Sequence, residues 1–168
     1  LILSLKSLGV KKGDEVITDC NSIYASAGAI IACGAKVVFV DSDDRYQIDI
    51  DELETAITKK TKVIMPVHWG GASPDMNRIM KIAKKYKVKI IEDACLATGA
   101  EYKNKKIGSF GDLTVFSTNP GKILDGIGPG GIITTNKKNL YYKLKQLRDY
   151  CRKKRPCNWP VKSYLVGY

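Results

Sequence analysis

Short apolar runs that alternate with helical patterns are the feature that most constrains the fold of this chain. The runs are rich in Val and Ile, and they are continuous stretches that do not alternate with polar residues. They occupy residues 13–18, 35–41, 62–68, 88–94, 112–118 and 131–136. Continuous apolar strands are typical of a parallel sheet that is covered by helices on both faces. We therefore predict an α/β fold with a doubly wound, mostly parallel sheet, helices on both faces and a mixed edge.

The segments between these runs carry helix signals. Asp49 precedes an acidic first turn, and Ser73 precedes Pro74, a residue that suits the first position of a helix. The spacing of apolar residues after Pro74 also fits a helix. We predict helices at 1–10, 23–34, 49–58, 73–87 and 138–150.

Length and composition limit the class of protein. The chain has 168 residues, of which 44% are hydrophobic and 27% charged, a balance that is typical of one globular domain. No apolar run approaches the roughly 18 residues of a membrane span, and no signal peptide is visible. The chain starts without Met inside a helical pattern, so we expect it to be a piece of a longer protein.

The cysteines and the lone histidine predict a location and argue against a metal site. Five cysteines occur without any Cys-x-x-Cys pair, and His68 is the only histidine. The odd number of cysteines favours free thiols, and hence a reducing compartment, which we predict to be the cytoplasm. Because no Cys/His cluster surrounds His68, we predict no metal.

The chain is strongly basic, and its densest basic run leaves two interpretations open. The formal net charge is +11, and residues 137–168 hold ten Lys or Arg against one acidic residue. The densest run, at 151–156, could form a nucleic-acid patch or a solvated tail. Since no nucleic-acid-binding motif accompanies this run, the solvated tail is the preferred interpretation.

A glycine-rich stretch at 115–131 contains the spacing of a dinucleotide-binding turn at Gly126, Gly128 and Gly131. Such a turn follows a strand and begins a helix, whose N-terminal amides hold the phosphates. Here the residues after Gly131 favour a strand, and Pro129 lacks an amide hydrogen. We therefore predict that these glycines permit sharp turns and do not bind a nucleotide.

A carboxylate, a hydroxyl and an amine follow two of the predicted strands. Asp93 lies at the end of one run, and Lys122 lies in a tight turn 29 residues later, five residues after Ser117. In open α/β sheets, ligands bind beyond the carboxyl ends of strands. Pyridoxal 5'-phosphate needs a lysine, a carboxylate near its ring nitrogen and donors for its phosphate. The three residues supply one of each.

Several motifs in succession resemble those of the DegT/DnrJ/StrS family of sugar aminotransferases, which are pyridoxal-phosphate enzymes of fold type I. The segments are GDEVIT, GAKVVFVD, VIMPVHWGG, IIEDA, GSFGD and FSTNPGK. The resemblance runs from about residue 5 to residue 150. It implies that 1–150 is the central part of a cofactor-binding large domain. Residues 151–168 would then be a basic, irregular tail leading toward a further C-terminal region.

The resemblance also implies residue roles. Lys122 matches the lysine that forms the Schiff base and is the catalytic residue, Ser117 the serine that contacts the phosphate, and Asp93 the aspartate that faces the ring nitrogen. Two cofactor-binding positions depart from the family pattern. Leu96 stands where a polar residue is usual, and Ile23 stands where an aromatic residue stacks on the ring, with Tyr24 adjacent.

The function implied by the resemblance is transamination of a nucleotide-linked keto-sugar. An amino acid, glutamate by family analogy, would be the donor, and the product would enter polysaccharide or deoxyamino-sugar synthesis. The resemblance further implies a homodimer. The departures leave a non-catalytic relative open as an alternative, and the basic tail leaves a nucleic-acid-binding module.

Overall fold

The computed structural model describes residues 1–126 and 128–149, and the predicted basic tail at 151–168 lies outside them. Six strands form one sheet in the order β2-β1-β3-β4-β7-β8, and two short strands form a separate hairpin. The first five strands of the large sheet are parallel, and β8 runs antiparallel to β7. The strands are β1 (Glu15–Asp19), β2 (Lys36–Val40), β3 (Thr61–Met65), β4 (Lys89–Asp93), β5 (Glu101–Tyr102), β6 (Lys105–Lys106), β7 (Leu113–Ser117) and β8 (Gly131–Thr134).

Helices cover both faces of the sheet, which confirms the predicted fold class. The helices are α1 (Ile2–Ser7), α2 (Tyr24–Ala32), α3 (Ile50–Thr55), α4 (Met76–Tyr86) and α5 (Lys138–Arg148). Helices α1, α2 and α5 share one apolar core with the sheet, whereas α3 and α4 share the other. Strand residues alternate between the cores, so that Val16 faces the first and Ile17 the second.

Two helix starts test the predicted caps. Asp49 caps α3 as predicted, because its side chain accepts hydrogen bonds from the amides of Asp51 and Glu52. The predicted start of α4 at Ser73 is wrong. Asp75 is the N-cap, and its carboxylate accepts from the Arg78 amide at 3.1 Å, while the Ser73 hydroxyl bonds the Pro74 carbonyl.

The β5–β6 hairpin was not predicted. Its strands have two residues each, and its turn places Lys103 and Asn104 at positive φ. The turn lacks the Asn-Gly or Asp-Gly pair that marks such hairpins in a sequence. Within the described residues, no helix combines the length and apolar character required to cross a membrane.

Candidate active site

The carboxyl edge of the sheet brings the predicted residues together. Asp93 ends β4 and Ser117 ends β7, and these strands are neighbours whose register pairs Asp93 with Val115. Both side chains lie on the face covered by α1, α2 and α5, because they alternate in step with Ile91 and Val115 of that core. Lys122 follows in the turn between β7 and β8. This edge is where open α/β sheets bind ligands.

Asp93 is buried and held by two donors. Only 3% of the residue is exposed. Its Oδ2 accepts from the Ser26 hydroxyl at 2.9 Å, and its Oδ1 accepts from the Cys95 amide at 3.3 Å. The Ser26 oxygen lies 2.8 Å from that of Ser22, so the hydroxyls of α2 and its preceding loop form a short chain ending on the carboxylate. These contacts fix the orientation of a group that would be costly to bury alone.

Ser26 was missed by the sequence analysis. The serine and Asp93 are 67 positions apart, and a side-chain hydrogen bond over that distance has no local pattern. The position is set by the packing of α2 against the sheet, which buries Ser26 to 1% exposure.

Ser117 combines burial with an available donor. It is 9% exposed, and its Oγ accepts from the Asn119 amide at 3.2 Å. A serine hydroxyl can accept and also donate one hydrogen. Among the described residues, no hydrogen bond uses the Ser117 O–H, so it can serve the oxygen of an anion.

The turn that carries Lys122 closes on Thr118. The Thr118 amide donates to the Gly130 carbonyl at 2.9 Å, and the Gly126 amide donates to the Thr118 carbonyl at 3.0 Å. The Lys122 amide donates to the Asn119 carbonyl at 3.0 Å. These bonds hold the half-buried lysine in a defined loop beside the ends of β7 and β8.

The pKa of the Cys95 thiol is affected by the charges of both Asp93 and Lys122. Burial raises the pKa of Cys95, and the Asp93 carboxylate raises it further. The Lys122 ammonium acts on the same thiol in the opposite direction. The carboxylate and the ammonium thus act on one thiol with opposite sign.

The glycines of this turn meet steric demands of the backbone. A Cβ on Gly126 would lie 2.8 Å from the Thr118 carbonyl oxygen, and one on Gly130 would lie 2.5 Å from the Thr118 hydroxyl. Gly128 has a φ of +89°, a value that other residues rarely adopt. Gly131 begins β8, which confirms that a strand follows the motif where a nucleotide cradle would need a helix.

The remaining predicted positions lie around the same edge. Ile23 is the N-cap of α2 and Tyr24 its first residue, and they are 55% and 84% exposed. Ile23 precedes Ser26 by three positions, which places it on the helix turn that contacts Asp93. Leu96 is half-buried three residues after Asp93, and its carbonyl would lie 3.2 Å from a Cβ on Gly71.

A second carboxylate at this edge, Asp19, was not predicted. It ends β1 and is fully buried. Its Oδ2 accepts from the Val67 amide at 2.9 Å, but its Oδ1 has no hydrogen-bond partner among the described residues. Burial raises the pKa of Asp19 to about 7, and the Asp93 and Asp43 carboxylates contribute in the same direction. The signal that marked Asp93, an acidic residue ending an apolar run, was available here too.

Known proteins resemble this chain over nearly its whole length. A dTDP-3-amino-3,6-dideoxy-alpha-D-galactopyranose transaminase from Aneurinibacillus thermoaerophilus is 46% identical over 89% of the chain and 42% of its own length. S. venezuelae DesV, solved in complex with a ketimine intermediate, superposes with a TM-score of 0.88 at 34% identity. That match covers 98% of this chain and 44% of DesV. Bacillus subtilis NtdA, solved with bound cofactor PMP, has a TM-score of 0.83 at 37% identity over 99% of this chain and 37% of its own.

These matches agree on a family. The chain spans about 40% of the length of these proteins, and its mostly parallel sheet with helices matches their fold. A sequence model of one protein family matches the chain over residues 1–168. The chain belongs to the DegT/DnrJ/EryC1/StrS aminotransferase family.

Proposed function

We propose that the protein uses pyridoxal 5'-phosphate to transfer an amino group from an amino acid to a nucleotide-linked keto-sugar. The observation that carries this proposal is the grouping of Asp93, Ser117 and Lys122 at one edge of the sheet, with Asp93 buried and bonded to Ser26. Family membership and the named activity of the Aneurinibacillus relative support it.

The residues at this edge fit the cofactor. Lys122 offers a primary amine, Asp93 a carboxylate held by Ser26, and Ser117 an unused hydroxyl hydrogen. When bound, the cofactor supplies an electron sink for negative charge that develops on the substrate. The exposed Ile23 and half-buried Leu96 would provide apolar contacts beside the ring, where the family resemblance leads us to expect aromatic and polar side chains.

Each residue has a distinct task in this proposal. Asp93 keeps the ring nitrogen protonated, and Ser26 holds the carboxylate in the orientation that this requires. Ser117 donates its hydroxyl hydrogen to a phosphate oxygen. Lys122 binds the cofactor and then, as a free amine, accepts a proton at Nζ from the substrate carbon and returns it in the next step.

Charge and relatives support the proposed substrate class. A net charge of +11 favours an anionic substrate, and a nucleotide diphosphate is negatively charged. The Aneurinibacillus relative is named for a dTDP-linked amino sugar. We propose glutamate as the donor, and synthesis of cell-surface polysaccharide or deoxyamino sugars as the role.

We further propose that the protein is a cytoplasmic homodimer. Cys20, Cys33 and Cys95 are free thiols, which suits a reducing compartment. Ser117 alone provides few donors for a doubly charged phosphate, so the site needs further donors. A second subunit that contributes to the site would supply them.

Borohydride reduction in the presence of pyridoxal phosphate tests the catalytic assignment. We expect peptide mapping of the protein at its full encoded length to place the cofactor on Lys122. The Lys122→Ala variant should lose the label, whereas Lys105→Ala, which changes an exposed hairpin lysine, should retain it. A label on another lysine in the unchanged protein would refute the assignment.

A further inference from the structure

Glu92, the residue before Asp93, is a buried carboxylate to which the proposed reaction assigns no task. None of its surface is exposed. It lies on the opposite face of β4 from Asp93, since successive strand side chains point to opposite faces. Burying a charged carboxylate is costly unless it is hydrogen-bonded, so its surroundings are informative.

The Glu92 carboxylate gathers donors from a loop and a neighbouring strand. Its Oε1 accepts from the amide of Gly111 at 2.7 Å, the hydroxyl of Thr114 at 2.9 Å and the amide of Phe110 at 3.0 Å. Its Oε2 accepts from the Gly108 amide at 3.3 Å. Two of the segments that carry the family resemblance, IIEDA and GSFGD, therefore meet at one side chain.

His68 lies beside this group, although neither of its ring nitrogens makes a hydrogen bond among the described residues. Its Nε2 lies 3.3 Å from Glu92 Oε2, and both side chains are fully buried. Burial alone would raise the pKa of Glu92, but the neighbouring His68 and the Gly111 amide outweigh burial and hold that pKa below its usual value. The carboxylate is thus an ionised acceptor at neutral pH, which strengthens each of its hydrogen bonds.

Glu92 also links the two strands that end in the site. Residues 92 and 114 are directly opposite in the β4–β7 register, and their side chains are hydrogen-bonded. On the other face of the same strands lie Asp93 and Ser117. A one-residue slip would move a strand by about 3.3 Å and turn its side chains to the wrong face. The spacing between Asp93 and Ser117 therefore depends on this register.

We propose that Glu92 and Thr114 form a positioning clamp that fixes β4 against β7, and so sets the distance between Asp93 and Ser117. The clamp rests on the proposed function, because a cofactor that contacts both residues has a fixed length from ring nitrogen to phosphate. Glu92 touches neither the cofactor nor the substrate in this assignment. It acts through the strands, and it accounts for the amides of the 108–111 loop turning inward.

The test compares clamp variants with a buried variant elsewhere in the sheet. Thr114→Val removes the hydroxyl that reaches Glu92, and Glu92→Gln removes the charge. Thr18→Val is the matched control, because the Thr18 hydroxyl is buried and donates to the Met65 carbonyl at 2.8 Å between β1 and β3. For each variant at full encoded length, the dissociation constant for pyridoxal phosphate, the absorbance maximum of the bound form and the urea midpoint are measured.

We expect both clamp variants to raise the dissociation constant by at least about tenfold, since displacements near 1 Å are costly at such sites. The absorbance maximum should shift as well. Thr18→Val should lower the urea midpoint comparably yet change the dissociation constant less than about threefold, well below the effect of a misplaced site. Thr114→Ser keeps the hydroxyl and should bind pyridoxal phosphate as tightly as the unchanged protein. The two Thr114 variants together decide the test even if Glu92→Gln does not fold.

Two results would overturn the clamp. One is a Thr18→Val variant that loses as much affinity as Thr114→Val, and the other is a Thr114→Val variant with unchanged affinity and spectrum. In both cases the unchanged protein still carries the cofactor on Lys122. If borohydride labels no Lys122 in the unchanged protein, the proposed function itself fails, so the two failures are distinguishable.

Discussion

Asp93 and Asp19 end strands β4 and β1 at the same edge of the sheet, yet their surroundings differ. Asp93 has a donor on each oxygen, from Ser26 and Cys95, whereas Asp19 has one donor on Oδ2 and none on Oδ1 among the described residues. Hydrogen bonds to the charged form favour ionisation, and burial opposes it. For Asp19, burial dominates and raises the pKa to about 7.

Replacing Asp93 with asparagine tests its proposed task. Asp93→Asn keeps an oxygen that can accept from Ser26, so we expect the fold to persist. The variant cannot hold a proton on the ring nitrogen, and we expect single-turnover transamination to slow on the order of 10²-fold, as when one preorganised electrostatic contact is lost.

The matched control is Asp112→Asn, a buried carboxylate at the opposite edge whose Oδ2 accepts from the Ile90 amide at 2.9 Å. It should change stability without a comparable loss of rate. Turnover of Asp93→Asn within about twofold of the unchanged protein, far from the loss expected of an electrostatic contact, would exclude the task.

Asp19 should make stability depend on pH. Its folded-state pKa of about 7 lies above the ordinary value of 3.8, so between these values the folded state holds a proton that the unfolded state has released. Its contribution to the free energy of unfolding therefore falls as pH rises from about 4 to about 7, and is constant above that range. The loss is on the order of a few kcal/mol.

Asp19→Asn removes this ionisation and keeps an oxygen for the Val67 amide. We expect it to raise the free energy of unfolding at pH 8 and to change it little at pH 4. Urea unfolding at both pH values measures the difference, with exposed Asp44→Asn as the control. An equal effect at both pH values would show that Asp19 is not protonated in the folded state near neutrality.

At the scale of elements, the sequence predicts the large sheet better than its details. The run at 88–94 becomes β4, because continuous apolar residues fit a strand with helices on both faces. The predicted start of α4 at Ser73 is wrong, because Asp75 is the N-cap, and Asp75 also bonds the Tyr102 hydroxyl at 2.6 Å. That second bond joins distant parts of the chain, so no local pattern contains it.

In the candidate site, too, local patterns predict some residues, whereas packing decides the others. Asp93 and Ser117 could be assigned to one edge, because parallel strands end together and each residue closes an apolar run. Ser26 and the Glu92 contacts could not, since they depend on how α2 and the 108–111 loop pack against the sheet. Local patterns fix which strand end carries a side chain, whereas packing fixes its partners.

The turn that carries Lys122 should depend on the small size of Gly126. A Cβ there would lie 2.8 Å from the Thr118 carbonyl oxygen, a backbone atom that cannot rotate away. We expect Gly126→Ala to destabilise the protein by about 1–3 kcal/mol and to lower borohydride labelling of Lys122. Lys105→Ala, which changes an exposed hairpin lysine, is the control and should leave both stability and labelling nearly unchanged. Unchanged labelling in Gly126→Ala would show that the turn tolerates the displacement.

At the scale of the whole molecule, α2 has an apolar face that the described residues do not cover. The helix contains no charged residue, and one side of it packs on the sheet through Ala29 and Ile30. On the other side, Tyr24 is 84% and Ile31 65% exposed. A helix that is apolar all round is normally buried on all sides. Since Ser26 of the same helix bonds Asp93, a subunit that covers this face would lie beside the proposed site.

We therefore predict that the protein at its full encoded length is a symmetric homodimer that buries the outer face of α2. In such a dimer one substitution changes both copies of the contact. Burying an isoleucine contributes about 1.5–3 kcal/mol, so Ile31→Lys should lose at least about 3 kcal/mol over the two copies, or about 100-fold in the dimer dissociation constant.

Met80→Lys is the control, because Met80 is 40% exposed on α4, across the sheet. Sedimentation equilibrium should show a dimer for the unchanged protein and for Met80→Lys, and dissociation for Ile31→Lys. A monomer that still transaminates would contradict the dimer, and an undisturbed Ile31→Lys dimer would place its interface elsewhere.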